Sequence, residues 1–148
     1  APWGVIMMFG GGLALAAGME ASGLAEWLGQ ALLPLANVPL VLVALAIVAM
    51  VILVTEFASN VATASGIMPV VASLAAALGL GEQALLLALP AAIAASWGFI
   101  LPAGTGPNAI AWSTGHIRIG RLVRAGVWLD IAGLFLIVGM VWMVASLI

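Results

Sequence analysis

Two short polar stretches hold the residues capable of chemistry. Val54 to Ser65, VTEFASNVATAS, interrupts a hydrophobic run of roughly forty residues, and Leu101 to Asn108, LPAGTGPN, follows about forty residues later. What they offer is oxygen and backbone rather than acid, base or thiolate. Carbonyls left unpaired around Thr55 to Ala58 and around Ala103 to Gly106 are hard ligands suited to a small cation. A helix starting near Asn60, with Ser59 as its N-cap, presents free N–H groups and the positive end of a dipole to an anion. A second start near Pro107 does the same, since proline at a first helical turn gives up an N–H that has no intrahelical partner. Cation and anion would then bind side by side.

Such breaks need a special solvent environment. With 66% hydrophobic and 5% charged residues and a mean hydropathy of +1.37, the chain is no soluble domain, which would carry about a quarter charged residues. Apolar stretches near twenty residues long indicate an all-α integral membrane protein rather than a barrel of alternating ten-residue strands. Hydrocarbon offers no water to an unwound backbone, so the two breaks persist only where they line a cavity or binding site. Two interrupted membrane segments point to transport. The chain has no cysteine and one histidine, which removes disulfides, thiolate sites and a metal cluster. The net charge of -2 is uninformative.

The positioning elements follow from length and punctuation. Residues 3–19 form an apolar crossing containing Gly10, Gly11 and Gly12, and residues 20–33 form an interfacial amphipathic helix ended by Pro34, Asn37 and Pro39. Residues 40–80 form a re-entrant helical hairpin. Its first arm, Leu40 to Val54, spans about 22 Å at 1.5 Å per residue, short of a hydrocarbon core of about 30 Å, which puts the tip at Ser59-Asn60 inside the membrane. Two full crossings with the turn at the far surface are the alternative, and both return the chain to the Gly79/Gly81 joint on the same side. Residues 83–112 make a broken crossing: a helix from Gln83 to Ile100 kinked at Pro90, the break, then a short helix from Pro107 to Trp112. All the basic residues, Arg118, Arg121 and Arg124, lie in the next joint, which is cytoplasmic by the positive-inside rule. Residues 121–148 hold the last crossing, its apolar run being Val127 to Ile148.

TEFASNVAT, then LPAGTGPNAI, then STGHIRIGRLVRAG, preceded by WGVIMMFGGGLALAAGMEASGLA, make essentially the whole chain resemble the C-terminal half of the divalent anion:sodium symporter family. The resemblance implies one of two inverted repeats, each with a hairpin tipped by a Ser-Asn-Thr motif facing a broken helix. It implies a homodimeric, multi-pass elevator carrier of the cell membrane, importing succinate, malate, citrate or sulfate with sodium, some relatives being exchangers. It also implies that Thr55, Ala58, Ser59, Asn60 and Gly104 are sodium ligands. Ser59, Asn60, Val61, Thr105, Gly106 and Pro107 would be this half's share of the divalent anion site. Val61 stands where Thr is common, removing a hydroxyl from the anion pocket. Gly106 replaces a frequent Pro, and Asp130 stands where Asn is usual. The missing N-terminal repeat would complete the site, so these residues alone are expected not to transport. No nucleic-acid partner is expected.

Other residues have plainer readings. Arg118, Arg121 and Arg124 are expected to be interface anchors rather than an anion vestibule, His116 a surface residue, and the six Trp residues packing and interface groups. Glu56 is expected to support its turn by hydrogen bonding rather than ligate an ion, and Asp130 to be a paired or snorkelling carboxylate near the cytoplasmic interface. Two other classes are considered. An intramembrane hydrolase would have to use Ser59 with Glu56 or His116, and a structural or channel module would show no coupling.

Overall fold

Pro39 starts the first well-described helix and a polar turn stops it. In the computed structural model, residues 37–147 are described continuously, together with isolated positions between 3 and 27. The expected crossing at 3–19 and interfacial helix at 20–33 rest on residues that lie, those positions apart, outside the described residues. Helix α1 runs Leu40–Thr55 and buries Val43, Ala44, Ile47, Val48, Val51, Ile52 and Thr55, the three-and-four spacing of one helical face. Its opposite face leaves Leu42, Met50 and Leu53 exposed, as a lipid-facing side requires. After the turn at Glu56–Ser59, helix α2 runs Asn60–Ala77 and contains Pro69. The two helices touch, forming a helical hairpin.

Glycine makes the next corner because the backbone there is left-handed. Gly79 and Gly81 have φ of 63° and 54°, a region that costs a side chain and suits glycine. A 3-10 turn, Gly81–Ala84, leads into helix α3, Leu85–Ala94, which contains Pro90. Helix α3 is the hub, in contact with α1, α2 and α5, while α1 also meets α5. Val48, Val51, Leu87, Ala91, Ala94, Ile137 and Val138 form the centre of this core. Alanines on α3 let the neighbouring backbones approach closely, which is how helices gain contact in lipid.

The break is longer than expected. Helix α3 ends at Ala94 rather than Ile100, and residues 95–105 are irregular before helix α4, Gly106–Ser113. Pro102 disfavours a helical Leu101, but the larger cause is tertiary, because the N–H groups of Ile100 and Leu101 are drawn away from any helix to Glu56. The final helix, α5, Ile119–Ala145, starts ahead of both residue 121 and Val127. Its 27 residues span about 40 Å, longer than hydrocarbon of about 30 Å, so the arginine-bearing first turns fit outside an apolar crossing. Asn60–Ala77 and Ile119–Ala145 are long and apolar enough to cross a membrane. The described elements are helices and their joints, with no strand among the described residues.

Candidate functional site

Glu56 organises the region where the hairpin turn meets the break. Placed just past the end of α1 and only 2% exposed, it accepts from the backbone N–H of Ile100 at 2.7 Å through Oε1 and of Leu101 at 2.6 Å through Oε2. Two charge-assisted bonds satisfy a carboxylate in apolar surroundings and fix the loop against the turn. From the other side Asn108, in the first turn of α4, donates Nδ2 to the carbonyl of Gly98 at 3.2 Å and of Leu101 at 3.5 Å. The contact is tight enough to exclude side chains. A Cβ on Gly98 would lie 3.2 Å from Thr55 Cγ2, and one on Gly104 would lie 2.9 Å from Glu56 Oε2 and 3.1 Å from the Gly98 carbonyl. The expected supporting role of Glu56 is therefore what the geometry shows.

Beside this tether, oxygens converge. One terminus of the Asn60 amide lies 3.0 Å from Thr55 Oγ1 and 3.2 Å from each carbonyl oxygen of Ala95 and Gly104. With its nitrogen turned toward them the amide donates to these acceptors, and the Thr55 hydroxyl donates to the Ala95 carbonyl at 2.7 Å. With Oδ1 turned inward instead, the same spot gathers oxygens from Thr55, Asn60, Ala95 and Gly104, the donor set of a small hard cation. Thr55 is fully buried. Of the five residues implied as sodium ligands, the structure brings Thr55, Asn60 and Gly104 together. Ala58 closes the turn through its N–H onto Val54 O at 3.1 Å, and Ser59 O accepts from Thr63 N at 2.9 Å within α2. Ala95 is not singled out by sequence because a backbone carbonyl leaves no mark in side-chain identity.

Two helix starts adjoin the oxygens. Ser59 caps α2 by accepting from Ala62 N at 3.2 Å, as expected, and Thr105 caps α4 by accepting from Asn108 N at 3.3 Å. Each first turn keeps N–H groups with no intrahelical acceptor, at the positive end of the helix dipole. Among the residues implied for the anion, Ser59, Val61, Gly106 and Pro107 are exposed, and Asn60 and Thr105 are half-buried. Oxygen acceptors and N–H donors thus occupy one neighbourhood, which can hold a cation and an anion together.

The chain matches, over residues 1–148, the family described as the sodium:sulfate symporter transmembrane region. It belongs to that family. It is 44% identical over 147 residues to a sodium-dependent dicarboxylate transporter, SdcS, of Staphylococcus aureus (strain USA300), covering 99% of this chain and 28% of the relative. To the sodium-dependent dicarboxylate transporter SdcS of Staphylococcus saprophyticus subsp. saprophyticus it is 43% identical over 141 residues, 95% of this chain and 27% of the relative. The chain therefore spans just over a quarter of the length of these relatives. Membership of the symporter family identifies a segment of a multi-pass plasma-membrane protein and counts against the hydrolase reading.

Outside the symporter motifs one expectation changes. Asp130 is neither paired with an arginine nor snorkelling at an interface: it is 6% exposed and faces Glu56, with the Phe99 backbone beside it. It points inward because α5 turns its smallest residues toward the break. Gly126 presses on the backbone of Phe99 and Ile100, and Gly133 on the Trp97 indole, so that a Cβ at either would overlap them. Trp97 Nε1 also donates to the Leu129 carbonyl at 3.2 Å, seating the ring as packing rather than as a ligand cage. His116, Arg118, Arg121 and Arg124 are exposed, as anchors would be.

Proposed function

We propose that the complete protein containing this chain imports C4-dicarboxylates such as succinate and malate by secondary active transport coupled to sodium. One observation carries this reading: the Asn60 amide joins Thr55 on the hairpin to the carbonyls of Ala95 and Gly104 across the gap, beside helix starts capped by Ser59 and Thr105. Sodium binds first, held by oxygens of Thr55, Asn60, Ala95 and Gly104, with the turn residues Ala58 and Ser59 closing the site. Its charge offsets the repulsion that a dianion would meet in a region of low dielectric. The anion then lies at the two helix starts, against Ser59, Asn60, Val61, Thr105, Gly106 and Pro107. The hairpin enters the membrane from outside and turns within it. A second repeat of inverted topology supplies the other half of the ligands, and the assembled carrier is a homodimer working as an elevator. On this reading the 148 residues supply half a site and do not transport alone.

The test is Asn60→Ala in the complete carrier, reconstituted in liposomes. Sodium-dependent succinate uptake should be lost, whereas normal uptake with unchanged sodium dependence would remove Asn60 from the site. Competition by malate, citrate and sulfate separates the dicarboxylate reading from a citrate or sulfate carrier. Counterflow without a sodium gradient identifies an exchanger, and current that does not saturate with anion identifies a channel.

A further inference from the structure

The seam between the hairpin turn and α5 encloses a carboxyl group short of hydrogen-bond donors. Asp130 is 6% exposed, and neither Oδ1 nor Oδ2 has a well-formed hydrogen bond among the described residues, the Phe99 backbone lying beside it. Its neighbour across the seam is Glu56, 2% exposed, whose oxygens already accept from the N–H groups of Ile100 and Leu101. Two adjacent ionised carboxylates, one of them with only the Phe99 backbone beside it, would be expensive to keep in an apolar interior. The seam cannot open by rotamer change, because Gly126 and Gly133, on the same face of α5 as Asp130, hold that helix against Phe99, Ile100 and Trp97. Among the described residues no other titratable group faces Asp130: α1 and α3, the helices packed on α5, carry none, residues 95–105 carry none, and Arg121 and Arg124 on α5 itself are exposed.

We propose that Asp130 is a proton-binding site, its carboxylic O–H donated across the seam to the Glu56 carboxylate. A proton fits where a larger cation does not, because it needs one donor–acceptor contact rather than a shell of oxygens, and Glu56 has spent its best-placed lone pairs on the loop. The Glu56 oxygens are held by two N–H donors, and Asp130 is the group that gains or loses the proton. Loss at alkaline pH brings a second negative charge against the tether that positions Gly104, so the hairpin, break and last helix loosen together. The proton is thus a structural ligand joining three elements at the back of the oxygen cluster.

Infrared spectroscopy of the complete transporter in lipid tests this directly. At neutral pH a carboxylic acid C=O band that shifts in deuterium oxide should be present, and it should disappear in Asp130→Asn, whose amide retains a donor toward Glu56. Absence of the band in the unsubstituted protein, or its persistence in Asp130→Asn, overturns the proposal. A second arm rests on the transport reading: sodium-driven uptake should fall as pH rises, with a markedly flatter alkaline limb in Asp130→Asn, and an equal fall in both proteins would count against a role for Asp130. The infrared result needs no transport, so failure of the uptake assay alone indicts the functional reading rather than the proton.

Discussion

Gly104 shows how a single missing side chain can set a site. Its Cβ position is 2.9 Å from Glu56 Oε2 and 3.1 Å from the Gly98 carbonyl, and neither neighbour can give, since Glu56 is pinned by two N–H donors and Gly98 O accepts from Asn108. Gly104→Ala must therefore push its own carbonyl away from Asn60. Overpacking of this kind costs about 1–3 kcal/mol, and at about 1.4 kcal/mol per decade the sodium concentration for half-maximal uptake should rise roughly tenfold or more. An unchanged sodium dependence in proteoliposomes would mean that the Gly104 carbonyl is no ligand. Sequence reasoning reached Gly104 through its motif and reached Glu56 by asking how a polar side chain beside a helix end is satisfied. It could not reach Ala95, whose contribution is a backbone oxygen, nor the inward turn of Asp130, because the glycines that draw α5 to the break act across sequence distance.

At the scale of elements, what was legible is what local composition decides. The α1 and α2 boundaries follow from Pro39, a continuous apolar run and a polar turn with Ser59 as cap, and the corner after α2 follows from Gly79 and Gly81. The end of α3 was misread because residues 95–100 look as apolar as the helix before them, while their N–H groups are claimed by a carboxylate 44 residues away in sequence. Helix α5 was started too late for a related reason: its arginines suggest a loop by charge, yet nothing in residues 119–126 breaks a helix except lipid, which those turns need not enter. Gly133 ties α5 to the break through Trp97. Gly133→Val should displace the indole, lose its bond to Leu129 O and lower stability by about 1–3 kcal/mol, seen as an earlier thermal transition of the detergent-solubilised carrier. A melting temperature equal to the unsubstituted protein's would show that α5 can move off the break without cost.

Across the whole molecule, helix lengths bear on how the chain meets the bilayer. The hairpin arms have 16 and 18 residues against 27 in α5, or about 24 and 27 Å against about 40 Å at 1.5 Å per residue. On the re-entrant reading proposed above, arms anchored with the Gly79/Gly81 joint at one surface of hydrocarbon about 30 Å thick end at or just short of the other, whereas α5 passes both. A turn ending in hydrocarbon would leave its polar groups without water, and the break supplies partners for the side chains of Glu56, Asn60 and Thr55. The chain contains no cysteine, so a thiol introduced into it is unique within these residues. In the complete carrier Ser59→Cys should react slowly with a charged, membrane-impermeant thiol reagent from either side and be protected by sodium with succinate, while Glu82→Cys in the Gly81–Ala84 turn reacts quickly from outside. Rapid labelling of Ser59→Cys from one side, as fast as an aqueous loop and indifferent to sodium, would place the turn at a membrane surface. The hairpin would then be two full crossings, and the ion site would have no lipid-embedded turn to build on.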